Sequence, residues 1–406
     1  MAVNEQKTFG SRRIISGSHA VLLYGSHIIT TIVSFVRGIV HSMAPKMKDY
    51  FNADTAQRLG AQLGIDGAEY AAWVAPRVEN LEISDLVTVF AQGLRERLGG
   101  EYAGVMGRIV EKLGPELAEG EGYFNHAFHL WPVSRFIELY GLNAPDVSLD
   151  AIEALTRTFT GEWAVRPFLE RYSELTMSRV HSWANSDSHN VRRLASEGIR
   201  PRLPWAKVHT PFVADPSPII PILDRLYDDD SLFVRKSVAN NLNDIGRTHP
   251  ELALATAGRW ADSGAPHASW MVERGLRGLI KQGHSEALAL AGFAAPTAIT
   301  ATRPEFPRTV AIGEKATLSA SLTNTADVAV NVLAEYHIHF LKKNGTRKPS
   351  VFRLGKYTLE PGETRVVTKV HPFRVTSTRT YYPGTQAIGL VVNGREGELV
   401  EFELTP

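Results

Sequence analysis

The sequence predicts a helical solenoid followed by a β-sandwich, and three observations carry that prediction. Apolar residues recur at helical spacing up to about residue 300. Within that stretch, similar Val-Arg-Arg-like openings return at intervals near 40 residues. After it the pattern changes to alternating, β-branched runs separated by turn dipeptides. The 406 residues are enough for two or three domains of ordinary size.

In chain order, the first stretch to interpret is Ile14–Val40. It is apolar and follows Arg12 and Arg13, which imitates a signal peptide, but Ser16, Ser18, His19, Ser26 and His27 interrupt it. A helical extension is the better expectation, with no membrane association. In the helical part, Ile152, Leu155, Phe159 and Trp163 are spaced three, four and four apart, as on one face of one helix. Val191-Arg-Arg-Leu, Val234-Arg-Lys-Ser and Val272-Glu-Arg-Gly open three successive amphipathic segments. Their third residues, Arg193, Lys236 and Arg274, lie 43 and 38 residues apart. A period near 40 with two helices per unit predicts an α-α superhelix of HEAT-like repeats, in which stacking would align these three cations, with Arg192 and Arg235 beside them.

The run Thr302-Arg-Pro-Glu-Phe-Pro307 reads as a linker, since its two prolines cannot continue a helix. Beyond it, Thr317–Thr323 and Val328–Leu333 alternate, and Asn344-Gly345, Pro361-Gly362, Pro383-Gly384 and Asn393-Gly394 mark turns. About seven short strands in roughly 100 residues predict an immunoglobulin-like β-sandwich. The expected organisation is therefore an N-terminal extension over 1–45, a helical-repeat domain over 46–299 and a sandwich over 300–406.

Net charge is only +1, but the charge is clustered. Between Arg179 and His209 stand Arg179, Arg192, Arg193, Arg200, Arg202 and Lys207 against Asp187 and Glu197. Lys342–Arg379 holds ten Lys and Arg residues, among them Lys342, Lys343, Arg347 and Lys348, against Glu360 and Glu363. Such clusters suit phosphate contacts. The acidic run Glu111, Glu116, Glu119 and Glu121 would repel a DNA backbone, so it belongs away from DNA or at a reaction centre. With no cysteine, disulfides, iron–sulfur clusters, thiolate zinc sites and a cysteine nucleophile are excluded. His126, His129, His181 and His189 lack metal-ligand spacing, so no metal or other cofactor is expected. No Gly-x-Ser-x-Gly nucleophile elbow is present in a strand-to-helix setting.

Three motifs are more specific. They are the stretch Trp183-Ala-Asn-Ser-Asp-Ser-His-Asn-Val-Arg-Arg-Leu-Ala-Ser-Glu-Gly-Ile-Arg-Pro-Arg-Leu-Pro-Trp205, Gly161-Glu-Trp-Ala-Val-Arg-Pro-Phe168 and His129-Leu-Trp-Pro-Val-Ser-Arg-Phe136. Together with Met47-Lys-Asp-Tyr-Phe-Asn-Ala53, they resemble AlkC-type DNA alkylation repair proteins from Lys46 to about residue 295. The resemblance implies a monofunctional alkyl-DNA glycosylase on HEAT-like repeats that releases cationic bases such as 3-methylcytosine and 3-methyladenine from duplex DNA. The absence of cysteine suits a reducing compartment, so a bacterial cytosolic protein, on the nucleoid when bound to DNA, is the expectation, and the high local charge suggests a monomer on DNA without an obligate protein partner. The related AlkD branch has Trp-x-x-x-Asp where this chain has Trp163-Ala-Val-Arg-Pro167, so the catalytic carboxylate must come from elsewhere. The same comparison places Arg193 at a phosphate-binding arginine and Asn240 where relatives have an indole.

A cationic leaving base needs little acid catalysis. What remains is a carboxylate to stabilise the oxocarbenium-like sugar and orient water. The candidates are Glu162, which sits beside Trp163, and Glu121, which sits between Gly120 and Gly122. Each has a bland alternative, a helix first-turn acid and a solvated loop acid respectively. Asp187 and Asp244 are secondary, Asp187 because it can cap the helix entering Val191. Trp163 is the indole assigned to the site, whereas Trp131, Trp183 and Trp205 are read as packing residues. Arg166, Arg192, Arg193, Arg235, Lys236, Asn240, Arg274 and the four sandwich cations are the expected DNA contacts. Two other functions compete, a non-catalytic binder of bent or branched DNA and a protein-interaction scaffold. The clustered cations count against the scaffold.

Overall fold

The computed structural model describes residues 47–119, 121, 126–376 and 379–406. The chain divides into two units, Met1–Tyr50 and Phe51–Pro406. Of the first, the described part is the 3-10 turn Met47–Tyr50, so the expected extension over 1–45 lies outside the described residues.

The second unit begins with a helical region whose boundaries follow local chemistry. Helix α1 (Ala53–Leu63) starts where the Asn52 side chain accepts from the Thr55 N–H. It stops at Gly64, whose φ of 77° is open to glycine at little cost. Helices α2 (Gly67–Val74), α3 (Ile83–Leu98), α4 (Tyr102–Val110), α5 (Trp131–Tyr140) and α6 (Pro145–Thr158) follow. Helix α6 ends earlier than the spacing of its apolar residues suggests. Phe159 leaves the helical region (φ −133°, ψ −116°), so Trp163 belongs to a loop and not to the face of Ile152 and Leu155.

Helices α7 (Arg166–Arg171), α8 (Ser173–Trp183), α9 (His189–Glu197), α10 (Thr210–Ala214), α11 (Ile220–Leu226), α12 (Leu232–Ile245), α13 (Pro250–Asp262) and α14 (Ala268–Gly275) form the repeating part. Here α9 packs on α12 and α12 on α14, while α8, α11 and α13 form a second layer behind them. This is the two-layer stacking that the 43- and 38-residue spacings predict. Ser188 and Ser231 cap α9 and α12 at equivalent positions. Asp187, expected as that cap, instead pairs with Arg157 at 2.9 Å. Two short helices, α15 (Arg277–Lys281) and α16 (Ser285–Leu290), end the helical region. No described helix is long and apolar enough to cross a membrane.

The described residues of the sandwich form eight strands: β1 (Ile299–Ala301), β2 (Thr309–Ala311), β3 (Lys315–Asn324), β4 (Val330–Leu341), β5 (Arg347–Leu359), β6 (Thr364–Pro372), β7 (Gly384–Val392) and β8 (Arg395–Thr405). One sheet runs β1-β3-β6 and the other β2-β8-β7-β4-β5. Leu318, Leu322, Val332, Ile338, Phe373, Ile388 and Leu404 fill the core between them. The expected linker is part of this domain. Thr302 N donates to Ser321 O at 2.9 Å and Glu305 bridges to Ser319, which lays the Pro-rich run along β3.

Sandwich and solenoid meet closely. A Cβ on Gly283, after α15, would lie 2.7 Å from Gly394 O in the β7–β8 turn, and both residues have positive φ. Only glycine meets both demands. Lys356 on β5 pairs with Glu273 on α14, and Asn393 Nδ2 donates to Ala294 O at 2.7 Å.

Candidate active site and nucleic-acid interface

The loop after α6 sets one wall of the site. A Cβ on Gly161 would stand 2.6 Å from Ile152 Cγ2 and 2.8 Å from Thr156 Oγ1, so only glycine lets the chain turn this tightly against α6. The turn drives the next side chain, Glu162, inward to 5% exposure. Its carboxylate accepts from Thr160 Oγ1 at 2.9 Å and forms an ion pair with Arg193 of α9. Arg193 also donates to Thr160 Oγ1 at 3.1 Å and lies over the Phe233 ring at 5.0 Å.

This pair belongs to a larger buried network. Glu197 accepts from Arg200 Nη1 and from Ser237 Oγ, each at 2.6 Å, and lies 3.7 Å from Arg193. Arg200 in turn donates from Nε to Asp244 at 2.9 Å. Three carboxylates thus share two buried guanidiniums. Burial pushes the Glu162 carboxyl above its ordinary pKa, with Arg193 opposing. Burial also works against charge on Glu197, but Arg193 and Arg200 on either side outweigh it and hold its pKa low. Asp244 is raised by burial, with Arg200 opposing.

Three near-parallel indoles adjoin the network. Trp163 stacks on Trp131 at 4.7 Å and on Trp205 at 6.0 Å, and Trp131 and Trp205 are 5.9 Å apart. Trp131 and Trp163 are each 8% exposed, whereas Trp205 is 62% exposed. Trp205 was expected to pack; instead it presents its ring at the surface from a left-handed backbone (φ 61°), a costly conformation for a bulky residue. Its loop is held by Arg166, which donates to Gly198 O (3.2 Å), Arg200 O (2.8 Å) and Lys207 O (3.1 Å). Trp163 Nε1 adds a bond to Pro204 O at 3.2 Å. The prolines at 201 and 204 are the sequence signal that Trp205 is not helical. The partners of Arg166 have no such signal.

The expected phosphate contacts separate into two groups. Arg166 and Arg193 are buried and committed to internal partners, which corrects the expectation that they face phosphate. Arg192 grips Asp229 with Nε (2.6 Å) and Nη2 (3.0 Å) and donates to Ser186 O and Asp187 O, while Arg235 folds back onto the Asp229 and Asp230 carbonyls. Asn240 accepts from Arg277 Nη2 at 3.0 Å, and Arg274 stacks over Trp270 at 5.6 Å. The expected row of three aligned cations is thus broken at its first member. Lys236, Lys342, Lys343 and Lys348 are exposed; Arg347 is exposed and pairs with Glu401 at 2.8 Å. Where solenoid and sandwich meet, Arg247, Arg277, Lys281 and Arg353 share a cleft with Glu273 and Glu335.

Two members of the acidic run, Glu116 and Glu119, reach the N-termini of α9 and α12, whereas Glu111 ends α4. Glu116 accepts from the capping Ser188 and from Asn190, and Glu119 accepts from the capping Ser231 at 2.6 Å. Glu121, two residues on, is exposed, and its Oε2 accepts from Ala118 N at 3.1 Å. Gly120 and Gly122 lie outside the described residues. Trp183 is buried, with Nε1 donating to Glu153 at 2.9 Å.

A two-layer helical superhelix with a docked β-sandwich and a surface indole stack defines the class. Residues 160–258, which hold the buried network, match the family described as "DNA alkylation repair enzyme", and residues 300–406 match "Uncharacterised protein YhaZ, C-terminal Ig-like domain". The chain is 38% identical to YhaZ of Bacillus subtilis (strain 168) over 270 residues, 66% of this chain and 75% of that protein. It is also similar to the Pseudomonas fluorescens alkylpurine DNA glycosylase AlkC, solved bound to DNA containing an abasic-site analogue. That structure matches with a TM-score of 0.82 at 30% identity, over 89% of this chain and all of that one. The chain belongs to the AlkC/YhaZ-type family of DNA alkylation repair proteins.

Proposed function

We propose that this protein is a monofunctional DNA glycosylase that hydrolyses the N-glycosidic bond of cationic alkylated bases, 3-methylcytosine and 3-methyladenine, in duplex DNA. The observation that carries the proposal is the exposed Trp205 stacked on Trp131 and Trp163 beside the buried Glu162–Arg193 pair. Indole faces attract a cation by roughly 0.5–2 kcal/mol each and give a neutral base no such gain. A cationic base is already a good leaving group. The enzyme then has to stabilise positive charge on the sugar and direct a water to it.

The two candidate carboxylates suit different tasks. Glu162 is enclosed and neutralised by Arg193, so it holds the loop that carries Trp163 and is a positioning residue. Glu121 is exposed on the segment laid over the N-termini of α9 and α12, so it is the carboxylate that can reach a sugar. The exposed lysines of the β4–β5 hairpin and the cations of the junction cleft would hold the phosphates, giving binding that weakens steeply with salt.

The test is release of free base from a duplex with one 3-methylcytosine, and from randomly methylated DNA, by the wild type, Glu121→Gln and Glu162→Gln. Release by the wild type, abolished in Glu121→Gln with DNA binding retained, is expected. Tight, salt-dependent binding without release from any substrate would make the protein a non-catalytic DNA binder. Loss of release in Glu162→Gln alone would exchange the roles of the two acids.

A further inference from the structure

We propose that His337, His339 and Glu396 form a binding site for a divalent transition-metal ion on the outer face of the five-stranded sheet, with zinc as the ion it suits best. Strand β4 directs Val332, Ala334, Tyr336, Ile338 and Phe340 into the core, so His337 and His339 share the opposite face. Glu396 stands near the start of β8, two strands away across β7. In register, His337 faces Gly389 and His339 faces Ala387, so the intervening strand offers no bulk. A Cβ on Gly389 would lie 3.0 Å from Glu396 Oε1, and its absence leaves the carboxylate room to cross β7. An irregularity in the β7–β8 pairing between Gly389 and Val391 sits beside the crossing, a common way to re-aim a side chain.

The outcome is a compact donor set. Glu396 Oε1 lies 3.0 Å from His337 Nδ1 and 2.8 Å from His339 Nε2, and the three ligand atoms are all within 4.8 Å of one another. Tetrahedral zinc, bound at about 2.0–2.2 Å, places its ligand atoms roughly 3.3 Å apart, so small side-chain rotations open the space. Two imidazoles and one carboxylate are a zinc donor set that leaves a fourth position for water or a further ligand. Imidazole nitrogen also favours zinc, copper, iron or nickel over magnesium and calcium. Arg347, which reaches over the same sheet, is paired with Glu401 and leaves Glu396 to the histidines. Both histidines are largely shielded, at 17% side-chain exposure, which limits competition from water. The same face bears Glu335 at the junction cleft, so the ion would brace β4, β7 and β8 next to the solenoid.

The test is titration of tag-free, metal-stripped full-length protein with zinc by calorimetry and with cobalt(II) by absorption spectroscopy. The wild type is expected to bind one ion more than His337→Ala or His339→Gln, the second variant serving if the first folds poorly. Glu396→Gln should weaken that site by at least about 10-fold, since even supporting residues of metal sites carry that much. Zinc should also raise the melting temperature of the wild type more than that of the variants. Equal stoichiometry and affinity in wild type and variants, or no zinc binding by the wild type, would reduce the cluster to two histidines hydrogen-bonded to a carboxylate and overturn the proposal.

Discussion

The α9 and α12 units are built alike and used differently. Each starts at a serine cap, Ser188 or Ser231, whose hydroxyl is held by a glutamate from the 116–119 segment. In each, the arginine at the fourth position of the helix, Arg192 or Arg235, folds back onto the carbonyls before the cap. At the next position they part. Arg193 turns inward to Glu162, and Lys236 is exposed. The repeat preserves the device that starts the helix, and the following residue takes whatever role its neighbours offer. Arg193 meets a buried acid because Gly161 forces Glu162 inward; Lys236 stands exposed, with no ion pair to an acid among the described residues.

The largest expected effect breaks this contrast directly. Arg193→Met leaves the Glu162 carboxylate buried and unpaired, which should cost about 3–5 kcal/mol of stability. Lys236→Met should change stability by less than about 0.5 kcal/mol, both read by urea denaturation. Adding Glu162→Gln to Arg193→Met should recover much of the loss, and no recovery would show that Arg193 acts mainly through Phe233 and Glu197.

Acid should sharpen the comparison next. His209 follows α9, where its ring caps α10, and burial together with Arg166 lowers its pKa to about 4. The native state therefore binds fewer protons than the unfolded chain between pH 6.5 and 4. Stability from this group is full above the unfolded value and is lost as pH falls through that window, by up to about 3 kcal/mol. Hydrogen exchange at pH 5 should show α10 opening before α13. His209→Asn, which keeps a capping acceptor, should flatten that pH dependence.

Trp205→Ala should lower release of a cationic base by about 2- to 30-fold, the kinetic equivalent of one indole contact, and leave release from neutral-base controls unchanged. The smallest effects should be shared by the two units. Ser188→Ala and Ser231→Ala should each cost about 1 kcal/mol, and a large inequality between them would mean that Glu116 and Glu119 do not play matching roles.

Much of the architecture is legible in the sequence, because it depends on local periodicity. Apolar spacing gave the helices, the recurrence of Val-Arg openings gave the stacking, and Asn-Gly and Pro-Gly pairs located the turns of the sandwich. The site was legible only in outline. Glu162 and Trp163 stand out together in the sequence; Trp163 is one of the three stacked indoles, and Glu162 lies in the buried network that adjoins them. The reading of Trp205 as packing failed although Pro201 and Pro204 place it on a loop, because a loop indole can pack or project with equal local justification.

The sequence by itself determined that the chain is helical and then changes to strands, where the turns of the sandwich fall, and where charge concentrates. These follow from backbone sterics, capping and side-chain period within a few residues. Tertiary structure alone decided which arginines are spent internally. Arg166 finds carbonyls more than thirty residues away, Arg193 a carboxylate 31 residues back, and Arg200 an aspartate 44 residues on. A buried charge must take whichever partner folding brings within about 3 Å, and nothing in its own neighbourhood of the chain records which partner that is.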